Sequence, residues 1–345
     1  MGIVLAVGFL AVSSAAPGAE ARSRPPRTWP FAAPGELRGP GAGDALARLY
    51  ADGKSCSVGC RAPGAVPGWP VRPFHRPHPL RAGLNELRPG NFHLGVDILA
   101  RDGTAVYAVQ GGAARILVSS GPDARVRIGS FEYWHIRPMV REGQYVRPYA
   151  NVVGTIVAGA GHVHLSELRG DRYLNPMRPG GRVLAPWRDT APPVLARPRF
   201  RRGGRVTIRG FDPVVARGSG ASRTPVLGLA GLAYRLYGER GRRGPLRWAL
   251  RGTQHLPNRL RRRVYVRGSR PADAKCAALA HPCRPNWTYR LAGGLAPRLR
   301  IRPRRAYRLV VYAYDWAGHR SALDTRVVFV RGRAYYARGL ERSAR

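Results

Sequence analysis

Apolar residues recur along this chain in short bursts, some alternating with polar residues and some uninterrupted, and glycine punctuates almost every gap. Six such segments crowd the middle of the sequence: Ala105–Val109, Ala114–Ser119, Arg125–Ile128, Phe131–Ile136, Asn151–Val157 and His162–Leu168. No long stretch carries the 3.6-residue period of an amphipathic helix, and a period of two with glycine breaks marks antiparallel strands. The pattern predicts an all-β protein. In Phe131–Ile136, Tyr133 and Trp134 precede His135, so one side of that strand belongs to a core and the other is free to line a groove.

A second series of strands is expected beyond Trp187-Arg-Asp-Thr-Ala-Pro-Pro-Val194, where two consecutive prolines make an extended joint. Its members are Arg205–Arg209, Leu232–Tyr237, Arg263–Val266, Tyr307–Ala313 and Arg326–Val330. Tyr307, Leu309, Val311 and Ala313 repeat on one side, and Asp315-Trp-Ala-Gly-His319 reads as a turn into the last strand. The spacing is that of an immunoglobulin-like or fibronectin-like β-sandwich over residues 189–332, followed by a loose basic tail over 333–345.

Ahead of the first series, residues 23–72 are rich in Pro, Gly and Ala, broken by Gly43–Tyr50, which has the makings of a short helix. This reads as a linker carrying a small disulfide loop packed on the domain that follows. Ile3–Val12 is an apolar run followed by small residues, the form of a secretory signal peptide over residues 1–22, although its first basic residue is Arg22. The run is too short to be a comfortable membrane span, and no later stretch is long and apolar enough to be retained as one.

Composition adds export and charge to this picture. A chain of 345 residues with 44% hydrophobic content has room for two domains with real cores. Of 59 basic residues only Lys54 and Lys275 are lysines, and the net charge is +40. Such a surface draws polyanions, wall polymers and anionic head groups among them. The arginines are spread along the chain and accompany no nucleic-acid-binding motif, which argues against specific nucleic-acid recognition. Four cysteines in an exported chain read as disulfides with three possible connectivities, of which local pairing, Cys56 with Cys60 and Cys276 with Cys283, is the simplest.

The candidate chemistry lies in Asn91-Phe-His-Leu-Gly-Val-Asp97 and Gly161-His-Val-His-Leu165. Even spacing on an extended backbone puts His93 and Asp97 on one side, and His162 and His164 likewise. Neutral imidazole and carboxylate are ligands of catalytic zinc, which takes three protein ligands and keeps one position for water. This leaves one histidine to spare, and His135 stands between the two motifs. The His-Glu-x-x-His helix of glutamate-base metalloproteases is absent. His75 and His78 fall in a proline-broken loop and read as surface histidines.

His-x-x-x-Asp, an aromatic residue before a His-hydrophobe pair, and His-x-His, in this order, resemble the signature of the lysostaphin and LytM type zinc endopeptidases. The likeness covers roughly Pro73–Pro186 and extends to Gly103–Val109, Arg141–Val146 and Leu174-Asn-Pro176. It implies a zinc peptidase domain over 73–188 with an antiparallel β-sheet groove, the metal being held by His93, Asp97 and His164, with His135 and His162 as the catalytic pair. The segments before His135 and before His162 are short for that family, which predicts a more open groove, and Leu165-Ser-Glu167 stands where the family tends to place Phe and an acid or amide. The activity that the resemblance implies is that of a secreted or cell-wall-associated zinc endopeptidase acting on peptidoglycan cross-bridges or stem peptides. Two other readings stay open: a non-catalytic LytM-like module that binds wall or activates a hydrolase, and a polyanion-binding surface protein without zinc.

Overall fold

The computed structural model describes residues 60–213, 226–238, 241–269, 287–302, 305–330 and 333–336. The expected signal peptide, the helix at 43–50 and three of the four cysteines lie outside these residues, and with them the expected cysteine pairing.

The first half is built from β1 (Leu80–Ala82), β2 (Val96–Leu99), β3 (Ala105–Tyr107), β4 (Gly112–Val118), β5 (Arg125–Ile128), β6 (Phe131–Trp134), β7 (Ile136–Pro138), β8 (Tyr145–Val146), β9 (Val152–Ile156), β10 (His162–Arg169) and β11 (Arg172–Leu174). Eight of them make one antiparallel sheet in the order β1-β2-β10-β6-β5-β4-β8, with β11 beside β10, while β3, β9 and β7 form a smaller sheet. Strand β10 therefore runs between β2 and β6. Its alternation is that of a strand with two uses: Val163 and Leu165 enter the core together with Val96, Ile98, Phe131 and Tyr133, and His162, His164 and Ser166 take the other face. From the stretch read as linker, Ala62, Trp69 and Val71 pack into the same core.

The second half comprises β12 (Val194–Leu195), β13 (Arg199–Arg201), β14 (Arg205–Pro213), β15 (Val226–Leu227), β16 (Gly231–Tyr237), β17 (Arg243–Arg251), β18 (Thr288–Ala292), β19 (Ala306–Tyr314), β20 (Arg320–Val330) and β21 (Arg333–Tyr336). Strand β14 gathers β12, β13, β15 and β18 around it, and a second sheet runs β17-β16-β19-β20-β21. Val206 and Ile208 from the one sheet and Leu232, Leu309, Val311 and Ala313 from the other meet in a common core. This is a β-sandwich, and the molecule is all-β as the hydrophobic pattern predicts.

Two local expectations are corrected, and one strand is added. Arg263–Val266 is not a strand, because Arg261–Val264 closes a single helical turn after Pro257. Val264 and Tyr265 still enter the core, which is the burial that the apolar pattern registers. Arg333–Tyr336, expected in a loose tail, pairs with Val327–Val330. Strand β17 escapes the sequence pattern because Gly244 and Pro245 interrupt it. It lies at the edge of its sheet, bonded on one side only, where a missing N–H costs nothing. The Asp315–His319 turn forms as read: Asp315 Oδ1 accepts from the backbone N–H groups of Gly318 at 2.7 Å and His319 at 2.8 Å.

The halves interlock. Leu227, Ala230 and Trp316 belong to the first core, and Phe92 belongs to the second. Between them runs the segment from Gly83 to His93, which carries the first site histidine.

Candidate metal centre

Register sets the centre. In the β2–β10 pair, Asp97 stands opposite His164 and Leu99 opposite His162; on the other flank of β10, His164 stands opposite Trp134. Gly95 makes this approach possible, since a Cβ there would sit 2.2 Å from the Leu165 carbonyl oxygen. His93 is not on the strand. The extended run that the His-x-x-x-Asp spacing predicts breaks at Gly95, and β2 begins only at Val96. His93 is instead fixed by its backbone, with its N–H donating to the Glu86 carbonyl and its carbonyl accepting from Asn85 N–H, both at 2.9 Å.

Three ligating atoms converge. His93 Nε2 lies 2.9 Å from Asp97 Oδ1 and 2.8 Å from His164 Nδ1, and His164 Nδ1 lies 2.9 Å from the same carboxylate oxygen. All three residues are buried, at 6%, 3% and 6% exposure. The partners behind them favour lone pairs turned inward. His93 Nδ1 donates to the Gly83 carbonyl at 2.8 Å, which leaves Nε2 bare in the neutral ring, and the Ser166 hydroxyl at 2.9 Å is placed to accept from His164 Nε2. Burial lowers the pKa of His93 and takes that of His164 down to about 4, so both rings stay neutral. Arg88 donates to Asp97 Oδ2 at 2.8 Å. Two neutral imidazole nitrogens and a carboxylate oxygen, buried and converging, are a donor set that suits zinc.

His162 and His135 stand beside this triad. His162 Nε2 is 3.6 Å from Asp97 Oδ1, and its Nδ1 lies 2.5 Å from the Ala160 carbonyl. A carbonyl only accepts, so Nδ1 carries the proton, and Arg81, 3.2 Å from that atom, approaches as a charge. Burial first, with Arg81 adding to it, lowers the pKa of His162. His135 sits between β6 and β7 at φ 63°, its Nδ1 donating to the Pro122 carbonyl at 2.6 Å. The left-handed turn swings its ring to 4.8 Å from His162 and 6.2 Å from His164, centroid to centroid. Both rings therefore hold Nδ1–H against backbone and keep Nε2 for other work. His75 is exposed, and half-buried His78 bonds the Pro73 carbonyl at 3.1 Å; neither joins the five. Arg81 and Arg88 are the site residues that the sequence did not single out, since nothing distinguishes them among so many arginines.

No family model matches the sequence, and no curated protein matches it. Among solved structures, the antimicrobial peptidase lysostaphin from Staphylococcus simulans is similar over 81% of this chain and 97% of that chain, at 13% identity and a TM-score of 0.26. A superposition that loose supports no inference about activity. The centre is defined by its own geometry, as a buried two-histidine, one-aspartate cluster with two further imidazoles alongside.

Proposed function

We propose that this protein is an exported zinc-dependent endopeptidase that cuts peptide bonds in peptidoglycan cross-bridges or stem peptides. The observation that carries the reading is the convergence of His93 Nε2, Asp97 Oδ1 and His164 Nδ1 within 2.9 Å of one another, with His162 and His135 beside them. These three residues would hold the ion, which when bound supplies Lewis acidity and lowers the pKa of water. The chain's own contribution is proton handling. His162 presents Nε2 toward the centre and, buried and neutral, is suited to take a proton there. His135, the more open of the two, is suited, once protonated at Nε2, to hold a developing negative charge or pass a proton to the leaving amine.

Export rests on the apolar run Ile3–Val12 and the small residues after it, and among the described residues no helix is long and apolar enough to cross a membrane. The arginine-rich surface fits anionic wall polymers as a partner, and the sandwich is read as an immunoglobulin-like module that helps hold the enzyme on the wall. Nothing in this reading calls for specific nucleic-acid binding.

The test is to load the purified chain with zinc, incubate it with peptidoglycans of several peptide types, and identify new termini by mass spectrometry. New amino termini at one bond type, lost on chelation and restored by zinc, are expected. Wall binding with zinc present and no new termini from any type would leave the non-catalytic module as the reading.

A further inference from the structure

The face of the large sheet that carries the metal centre continues past it. Across the strands, His164 on β10 stands opposite Trp134 on β6, and Trp134 stands opposite Arg125 on β5. Opposed residues of an antiparallel pair share a face, so these three form one row. The next row, by the same register, is Ser166, Glu132 and Arg127. The two rows are bound together. Trp134 Nε1 donates to Glu132 Oε2 at 3.1 Å, and Arg127 donates from Nε and Nη2 to Glu132 Oε1 at 3.0 and 2.6 Å. Glu132 is 2% exposed, and it and Arg127 neutralise each other. The indole is thereby fixed, its ring centroid 5.6 Å from that of His164, and over its face lies the Arg125 guanidinium, with Cζ 3.9 Å from the ring centroid.

Arg125 differs from Arg127. It is half-buried, its Nε is enclosed without a hydrogen-bond partner, and among the described residues no carboxylate pairs with it. Stacking occupies the flat face of a guanidinium and leaves the N–H groups along its edge, which match a carboxylate two at a time. A cation already held on a rigid ring also loses little freedom when a ligand arrives. An unpaired arginine is ordinary on so basic a surface; one immobilised on an indole in the row of the metal ligands is not.

We propose that Arg125 is a specificity-determining residue of this groove and binds a free carboxylate of the peptide laid across it. The ligand class, an acidic peptide, rests on the endopeptidase reading and narrows it. Neighbouring strands lie about 4.8 Å apart, which puts β5 about 10 Å from β10. An extended peptide rises about 3.3 Å per residue, so a chain crossing the strands brings to Arg125 a carboxylate about three residues from the bond at the centre. Trp134 gives the intervening residues an aromatic floor.

Soluble peptides released from peptidoglycan are tested as isolated and after conversion of their carboxyl groups to amides. Binding to the full zinc-loaded chain is read by stopped-flow tryptophan fluorescence, ahead of turnover, and cleavage by mass spectrometry. The parent should bind the acidic peptides about 10–100-fold more tightly than the amidated ones, the range of one hydrogen-bonded charge. Arg125→Gln should erase that ratio by weakening the acidic peptides alone, and Arg125→Lys, which keeps the charge but not the planar fork, should keep part of it. Zinc content should be unchanged in both variants. Arg326→Gln, at an exposed position of β20 in the sandwich, should leave the ratio at the parent value, which separates a specific contact from net charge. Equal affinity of the parent for acidic and amidated peptides, or a ratio that survives Arg125→Gln, would overturn the inference, and cleavage of both kinds would then leave the endopeptidase reading standing. A ratio that depends on Arg125, with no peptide cut, would do the reverse: the carboxylate site would stand and the endopeptidase reading would fall.

Discussion

Asp97 and His164 face each other across the β2–β10 pair, with the carboxylate Oδ1 2.9 Å from the imidazole Nδ1. A strand pair gives such a contact only when register is correct, because a slip of one residue turns every side chain to the other face. The centre is thus tied to the core that Val96, Ile98, Val163 and Leu165 make on the opposite side.

Histidine roles are separable by substitution. On the proposed assignment His164→Ala removes one of three zinc ligands, and zinc affinity and activity should collapse together. His135→Ala removes none, so it should keep about one zinc per chain while turnover falls roughly 10²-fold or more. Zinc content by mass spectrometry beside peptidoglycan turnover reads both. Equal zinc loss in the two variants would show that the roles are assigned wrongly.

Arg88 should matter without touching substrate. It donates to the Asp97 oxygen turned away from the histidines, and such supporting bonds set ligand orientation. Arg88→Gln should lower zinc affinity about 10–100-fold, measured by competition with a chromogenic chelator. Parent-like affinity would mean that the sheet alone orients Asp97.

Gly95 is required by space and not by backbone angle. A methyl group there meets the backbone oxygen of Leu165 at 2.2 Å, which cannot swing aside as a flexible side chain would. Gly95→Ala should destabilise the fold by about 2–4 kcal/mol and loosen zinc binding with it. Denaturant melts of the variant with and without zinc would show this, and a loss below about 0.5 kcal/mol, the range of neutral surface changes, would count against the close approach.

The sandwich should support the metal centre directly. Asn85, whose N–H bonds the His93 carbonyl, donates its side-chain amide to the Gln254 carbonyl and accepts from Leu256 N–H, each at 2.8 Å. Phe92 N–H donates to Asn258 Oδ1 at 2.9 Å. A fragment ending at Asp189 loses all of these and uncovers Phe92. Its zinc affinity should fall at least about 100-fold, as when the groups that orient metal ligands are removed, even where circular dichroism still shows strands. A fragment with parent affinity would establish that the first sheet holds the centre unaided.

Much of the fold is legible because a strand that gives one face to an apolar core writes a period of two into the sequence, as in Tyr307–Ala313 and His162–Leu168. Legibility fails where another constraint takes over. At Arg263–Val266 the apolar residues are buried from a helical turn, and in β17 an edge position tolerates the glycine and proline that argue against a strand.

By itself, the sequence determined which residues share a strand face, and so that His162 and His164 point the same way and that five polar groups stand in an order suited to a metal centre. Tertiary structure alone decided that Asp97 stands opposite His164, that His93 reaches them from a loop held by residues far along the chain, and that Arg81 and Arg88 are the arginines at the site. It also brought Asp189 beside Asp315 and His319, a grouping that no local spacing announces. The physical reason is range: side-chain alternation is a property of neighbouring peptide units, whereas register, loop anchoring and the meeting of distant charges are settled only when separate strands share a core.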